Sequence, residues 1–106
     1  MAGETSIVAG MAGRYATALF ELARENNQLD QVSEDLSKFK AMLEESADLT
    51  RLVESPVFSA EVQGDAIAAL LKKADFGPIT EKFFSVVTGN RRLDAIKDII
   101  RDFGKL

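Results

Sequence analysis

The side chains that most often carry catalysis or bind metal ions are scarce in this sequence. It contains no histidine and no cysteine. The commonest general base, the commonest metal ligand and the thiol nucleophile are therefore all missing. Ser6, Ser37 and Ser85 have no histidine that could activate their hydroxyls. Carboxylates are the remaining candidates for acid–base or metal chemistry.

Two carboxylate pairs stand out because their members are adjacent in sequence: Glu34 with Asp35, and Glu44 with Glu45. Adjacent residues of a helix point in different directions. Acid–base catalysis of the two-carboxylate kind needs the groups to face each other across a cleft. We therefore interpret both pairs as solvated surface, and we expect no catalytic residues.

Three further patterns have structural rather than functional explanations. Asp98 and Asp102 share a helix face but lack a third ligand nearby in sequence, so we expect no metal site. Residues 10–13 read G-x-x-G, without the third glycine and the preceding strand of a dinucleotide fingerprint. The basic pairs at 72–73 and 91–92 lie at expected helix ends, where cations satisfy carbonyl groups. We interpret them as helix caps rather than nucleic-acid contacts.

Composition and charge narrow the class of protein. The chain has 106 residues, of which 46% are hydrophobic and 28% charged, as is typical of one globular domain. A net charge of −4 argues against a nucleic-acid partner. The longest uncharged run, residues 5–13, is too short to cross a bilayer, and Glu4 stands where a signal peptide is basic. We expect a cytoplasmic protein with no direct membrane insertion and no cofactor.

Apolar residues recur at helical spacing almost throughout, and no segment of useful length alternates with period two. The sequence therefore predicts an all-α fold, a six-helix bundle formed by a single domain over residues 1–106. The expected helices cover about residues 6–26, 29–45, 46–55, 59–73, 78–88 and 92–103.

Residues that begin or end helices support these boundaries. Ser46 and Ser59 are expected N-caps of the third and fourth helices. Pro78 suits the first position of the fifth helix. Gly89 and Asn90 should end that helix, because both tolerate the left-handed backbone conformation.

Narrow apolar stripes predict the buried face of three helices. The second helix carries Leu29, Val32, Leu36, Phe39 and Leu43 on one stripe, the fourth carries Val62, Ala66, Ile67, Leu70 and Leu71, and the sixth carries Leu93, Ile96, Ile100 and Phe103.

The first and fifth helices are apolar over most of their circumference. The polar residues of the first fall within a wedge of about 100°: Arg14, Thr17, Glu21, Arg24 and Glu25. Such helices are covered on several sides, by their own domain or by a partner. We expect these two helices to be central, mutually in contact and the most buried. Core packing accounts for most of their apolar surface, and an exposed groove for a partner helix is the alternative for the rest.

Three segments, in order and in register, resemble one known family. RYATALFELA at residues 14–23, LVESP at 52–56 and FSVVTGNRRL at 84–93 are similar to the ATP synthase delta subunit family. This family includes the mitochondrial oligomycin-sensitivity-conferring protein. The resemblance implies the N-terminal domain of that family, a six-helix bundle with the first and fifth helices central. It also implies a non-catalytic subunit of the peripheral stalk, which prevents the catalytic head from turning with the rotor.

The resemblance also implies a binding site for N-terminal helices of the alpha subunits. The family's contact positions correspond here to Tyr15, Ala18 and Val86. Helical geometry adds residues one turn away on the same faces: Met11, Leu22, Phe83 and Asn90.

Further expectations follow from the family. The b-type stalk subunits bind its C-terminal region, which has no counterpart after Leu106, so we expect a shortened or cleaved chain. The location implied is the cytoplasmic face of the bacterial inner membrane, peripherally, as part of the synthase. The alternative function is a six-helix regulatory adaptor that binds an amphipathic helix of another partner. An enzyme is the third possibility.

Overall fold

The computed structural model describes residues 10–106, so the expected start of the first helix at residues 6–9 lies outside the described residues. Within residues 10–106 the chain forms six α-helices and no strand, which confirms the predicted all-α class. The helices are α1 (Met11–Glu25), α2 (Leu29–Glu45), α3 (Ala47–Glu54), α4 (Ala60–Lys73), α5 (Pro78–Gly89) and α6 (Ile96–Phe103), with a 3-10 turn (Leu93–Ala95) directly before α6.

The predicted N-terminal caps are confirmed. The hydroxyl of Ser46 accepts a hydrogen bond from the backbone N–H of Leu49 at 3.1 Å, and Ser59 caps α4 in the same way through Val62 at 3.1 Å. Each cap satisfies an amide that the first helical turn leaves without a partner. Pro78 occupies the first position of α5, where its missing N–H costs nothing.

Three helices end at a residue with left-handed backbone geometry, and none of these residues is a glycine. They are Asn27 (φ 56°), Asp75 (φ 64°) and Arg91 (φ 60°). In each case the N–H of this residue and the N–H of the next one donate to carbonyls of the last turn, at 2.8 to 3.2 Å. The prediction that this helix ends at Gly89 and Asn90 is confirmed, but the left-handed residue is Arg91 rather than either of these two. The helix includes Gly89, Asn90 is its C-cap with φ −86°, and the chain turns at Arg91.

The left-handed residue at Arg91 also changes the start of the last helix. We predicted one helix from Arg92 onward, but the chain first makes the 3-10 turn, in which the N–H of Ala95 donates to the carbonyl of Arg92 at 3.0 Å. A chain that leaves one helix through a left-handed residue must nucleate the next one afresh, and 3-10 turns are common at such starts.

The core is assembled mainly from two helix pairs and one helix that joins them. α1 packs along α6, α4 packs along α5, and α2 contacts α1, α3, α5 and α6. Two aromatic pairs mark these junctions: the rings of Phe39 and Phe84 lie 4.7 Å apart between α2 and α5, and those of Phe20 and Phe103 lie 5.7 Å apart between α1 and α6.

The degree of burial of α1 differs from our expectation. Four of its fifteen residues are buried, against four of eight in α6. The prediction that α1 is among the most buried helices is therefore wrong, because part of its broad apolar face is not covered by the other helices: Met11 is 41% exposed and Leu22 is 43% exposed. The central placement of α1 and α5 stays a prediction from their apolar width.

The predicted stripes are correct for α2 but rotated for α4. In α2, the buried stripe residues are Val32, Leu36, Phe39 and Leu43. In α4, however, Val62 and Ala66 are exposed whereas Gln63 is buried. The amide Nε2 of Gln63 donates to the carbonyl of Leu52 at 2.9 Å, at the end of α3. This hydrogen bond satisfies the buried amide and lets a polar residue occupy the inner face of α4.

Asp35 corrects our interpretation of the carboxylate pairs, because it is fully buried rather than solvated. Its Oδ2 accepts hydrogen bonds from the backbone N–H of Gly77 at 2.9 Å and from the hydroxyl of Thr80 at 2.7 Å. Its Oδ1 accepts one from Gln31 at 2.8 Å. The carboxylate thus lies at the N-terminus of α5, where free amides and the helix dipole favour a negative charge. Glu34 beside it is exposed, as predicted.

Candidate helix-binding surface

One stripe of candidate residues runs along α1. Met11, Tyr15, Ala18 and Leu22 follow one another at spacings of four, three and four residues, which places them on one face of the helix. Met11, Ala18 and Leu22 are exposed, and Tyr15 is half-buried. The residues that α1 turns inward, among them Ala16, are fully buried.

A second stripe runs along α5 through Phe83, Val86 and Asn90. Val86 is 48% exposed although it is apolar, Asn90 is exposed and Phe83 is half-buried. The adjacent Phe84 and Val87 are buried. The apolar surface of α5 therefore extends from the core out to solvent, as its broad apolar face predicted.

Tyr15 joins the two stripes. The side-chain amide of Asn90 donates a hydrogen bond to the phenol oxygen of Tyr15 at 3.0 Å. The ring of Tyr15 meets the ring of Phe83 edge-on, with centroids 6.3 Å apart and planes at 75°. An amphipathic phenol suits this position, with its ring against apolar side chains and its hydroxyl near water. We call the surface formed by the seven residues of the two stripes the α1–α5 groove.

An open depression of about 570 Å³ lies at one end of this groove. Met11, Tyr15 and Ala18 line it, together with Arg14 and Arg92. Sequence reasoning missed these two arginines as site residues. Arg14 lies one turn before Ala18 at the edge of the polar wedge, which could have indicated it. Arg92 was interpreted as a helix cap, and it reaches the site only because the chain turns back after α5.

Leu22, Phe83, Val86 and Asn90 do not line this depression. Phe83 and Asn90 nevertheless belong to the same surface, since both contact Tyr15. Leu22 extends the α1 stripe by one turn beyond Ala18. Met11, Ala18, Phe83 and Asn90 are thus brought together around Tyr15. Val86 lies between Phe83 and Asn90 on the α5 stripe, and Leu22 lies furthest along α1.

The groove is suited to binding an apolar helix face. Of the six large apolar side chains that are exposed among residues 10–106, three lie in it: Met11, Leu22 and Val86. Exposed apolar side chains that cluster on a small domain commonly mark an interaction site. Side chains spaced along two neighbouring helices match the helix-in-groove mode of recognition.

Other chemistry finds little support in the described part of the chain. Residues 10–106 contain no group of three or more His, Cys, Asp or Glu residues placed to hold a metal ion. Asp98 is exposed and pairs with Arg101 at 3.2 Å. Within the same residues, no helix has the length and apolar character needed to cross a membrane.

Comparison with known proteins gives one consistent family. Residues 11–106 match the family described as ATP synthase delta (OSCP) subunit. The whole chain is 58% identical to ATP synthase subunit delta of Rhodopseudomonas palustris (strain BisA53) and 57% identical to that of Nitrobacter hamburgensis. In both cases it spans 57% of the length of the relative.

A solved structure agrees. A chain in the cryo-EM structure of the Polytomella F-ATP synthase, refined on the F1 head and rotor, superposes with a TM-score of 0.82 at 28% identity. The match covers 92% of this chain and 85% of that one. Sequence and fold thus lead to the same assignment, and the chain belongs to the ATP synthase delta (OSCP) subunit family.

Proposed function

We propose that the α1–α5 groove binds the N-terminal helix of an ATP synthase alpha subunit. The observation that supports this most directly is the exposure of the apolar side chains Met11, Leu22 and Val86 on the two stripes that the half-buried Tyr15 joins. Family membership supplies the partner, since the synthase head contains the alpha subunits. An amphipathic helix laid along the groove would cover all three exposed side chains at once.

The expected gain from this burial is substantial. Full burial of a large apolar side chain contributes about 1.5–3 kcal/mol. Met11, Leu22 and Val86 are each a little under half exposed, so covering them contributes roughly 1 kcal/mol apiece. The partner's own apolar side chains add a similar amount. Part of this total is offset by the ordering of the peptide and the loss of its free motion.

The role that follows is mechanical rather than catalytic. As part of a delta subunit, the chain would hold the catalytic head to the peripheral stalk, so that the head does not rotate with the rotor. The b-type stalk subunits would bind the portion of the full-length relatives that this chain does not span. The complex would place the chain peripherally, on the cytoplasmic face of the bacterial inner membrane.

Calorimetric titration with the N-terminal segment of the cognate alpha subunit tests the proposal. The segment should bind the wild-type chain, and Val86→Asp should weaken binding at least tenfold, which is about 1.4 kcal/mol, because the charge would be buried beneath the partner helix. Ala69→Asp is the matched control. Ala69 is exposed on α4, about 200° around that helix from the buried Ile67, so binding should be unchanged.

Two results would contradict the proposal. The first is the absence of binding to the folded wild-type chain. The second is equal binding by the Val86→Asp and Ala69→Asp variants, which would mean that the partner helix docks elsewhere on the bundle.

A further inference from the structure

The depression at the end of the α1–α5 groove carries two cationic side chains beside an apolar floor. Arg14 and Arg92 line it together with Met11, Tyr15 and Ala18, and both arginines are exposed. Within residues 10–106, the ion pairs formed involve other residues: Arg51 with Asp48, Lys97 with Glu54, and Arg101 with Asp98 and Asp102. No carboxylate within residues 10–106 forms an ion pair with either guanidinium group, so both are available to a partner.

The charge along the α1 edge of the groove changes sign. Glu21 follows Arg14 by seven residues and Glu25 follows by eleven, so all three share one face of α1. Glu21 therefore lies about 10 Å along the helix from Arg14. Both glutamates are exposed, and neither belongs to the ion pairs formed within residues 10–106. An anionic side chain of a bound helix would be attracted at the Arg14 end and repelled at the Glu21 end.

The α5 edge contributes a cation outside the depression. Lys82 is exposed and lies one turn before Val86, so it faces the same side of α5 as the groove residues. It does not line the depression. Lys82 therefore distinguishes a specific contact at Arg14 and Arg92 from a general attraction of anions to this side of the bundle.

From these positions we infer that Arg14 and Arg92 bind an acidic side chain of the helix that occupies the groove. This inference rests on the proposed function, and it adds the chemistry of one end of the site. The bound helix lies with the end that carries this acidic side chain in the depression beside Met11, and its apolar stripe continues over Val86 toward Leu22. Guanidinium groups suit this role because their planar N–H donors match a carboxylate.

A coupling experiment tests this inference with the N-terminal segment of the cognate alpha subunit as probe. Replacing both arginines by glutamine removes the charges but retains most of the side-chain length. The double variant should bind about fivefold more weakly, as expected for two exposed ion pairs of ordinary strength. Lys82→Gln should change the affinity less than about twofold.

The acidic residue on the peptide is then identified by replacing each of its carboxylates in turn by the amide. One replacement should weaken binding to the wild-type chain, and the same replacement should have no effect on the Arg14→Gln, Arg92→Gln double variant. A carboxylate replacement that matters only while both arginines are present indicates a direct pair. Equal effects of the arginine and Lys82 variants, or the absence of any coupled carboxylate, would overturn the inference.

The orientation has its own readout. The chain contains no cysteine, so a spin label attached to a cysteine added to the peptide reports only the position of the peptide. A label at the end nearest the coupled carboxylate should broaden the amide signals of Gly13 and Arg92, and a label at the other end those of Leu22 and Ala23. The reverse pattern would contradict the assignment even if binding were normal. Failure of the unmodified segment to bind would instead count against the proposed function.

Discussion

Aspartate substitutions at Ala16 and Ala18 should separate the core of the bundle from the groove on its surface. The two residues are two positions apart on α1, and each substitution adds the same charge to the same helix. Ala16 is fully buried within the hydrophobic core, whereas Ala18 is exposed and lines the depression beside Tyr15. Any large difference between the two variants therefore reports their surroundings.

The expected loss of stability differs severalfold. A carboxylate left unpaired in the core at Ala16 should cost about 3–5 kcal/mol, a large part of the 5–15 kcal/mol that typically stabilises a domain. For a domain of this size, about 1 kcal/mol corresponds to roughly 4–8 °C in Tm, so Ala16→Asp should lower Tm by more than about 12 °C. At Ala18 the charge reaches water, and the main cost is the lower helix propensity of aspartate, about 0.7 kcal/mol.

Peptide binding should show the opposite order of effects. Ala18→Asp should remain folded yet bind the alpha-subunit segment at least tenfold more weakly, a loss of about 1.4 kcal/mol. Circular dichroism melting and calorimetric titration on the same preparations measure both quantities. If folded Ala18→Asp binds the segment with wild-type affinity, the groove assignment is refuted. If Ala16→Asp melts within a few degrees of wild type, our account of the core is refuted.

Further predictions concern single side chains. Asp35→Ala should lower the free energy of unfolding by about 2–4 kcal/mol, because it leaves the donors at the start of α5 without their acceptor. Asp102→Asn should cost less than about 1 kcal/mol or stabilise, since Oδ2 of this buried carboxylate has no hydrogen-bond partner among the described residues. Urea unfolding of both variants checks this order, and a larger loss for Asp102→Asn would contradict it. Arg91→Gly should raise the free energy of unfolding by up to about 1 kcal/mol, because glycine removes the strain of the left-handed conformation, and a lower Tm would count against that strain. Tyr15 is the only tyrosine and tryptophan is absent, so binding of the alpha segment should change the intrinsic fluorescence; unchanged emission and acrylamide quenching at saturation would place Tyr15 outside the contact.

Local signals in the sequence predicted much of the fold. The hydroxyls of Ser46 and Ser59 cap amides three residues away, and Pro78 needs only its own ring to favour a helix start. Such features depend on a few adjacent residues. The stripe of α2 was equally clear, because its apolar residues lie on one narrow face.

Features that depend on distant parts of the chain were missed. The burial of Asp35 depends on donors at Gly77 and Thr80, more than forty residues later. The inward position of Gln63 depends on a carbonyl of α3. No periodicity within α2 or α4 could reveal either partner. In both cases a tertiary hydrogen bond allows a polar residue to replace an apolar one at the core.

The outline of the candidate groove came from the family resemblance, which implied Tyr15, Ala18 and Val86, and helical spacing added the residues one turn away. The spacing of Met11, Tyr15 and Ala18 places them on one face whatever the tertiary structure. The hydrogen bond between Tyr15 and Asn90, and the position of Arg92, depend on how α1 and α5 meet. Those details required the packed structure.

The most direct test of the central claim is an NMR titration of the isotope-labelled chain with the N-terminal segment of the cognate alpha subunit. If the α1–α5 groove is the binding site, the largest amide shifts should fall on residues 11–22 and 83–92, and the amides of α3 should move little. Shifts concentrated on α3 and the outer face of α2, with those of α1 and α5 unchanged at saturation, would contradict the account.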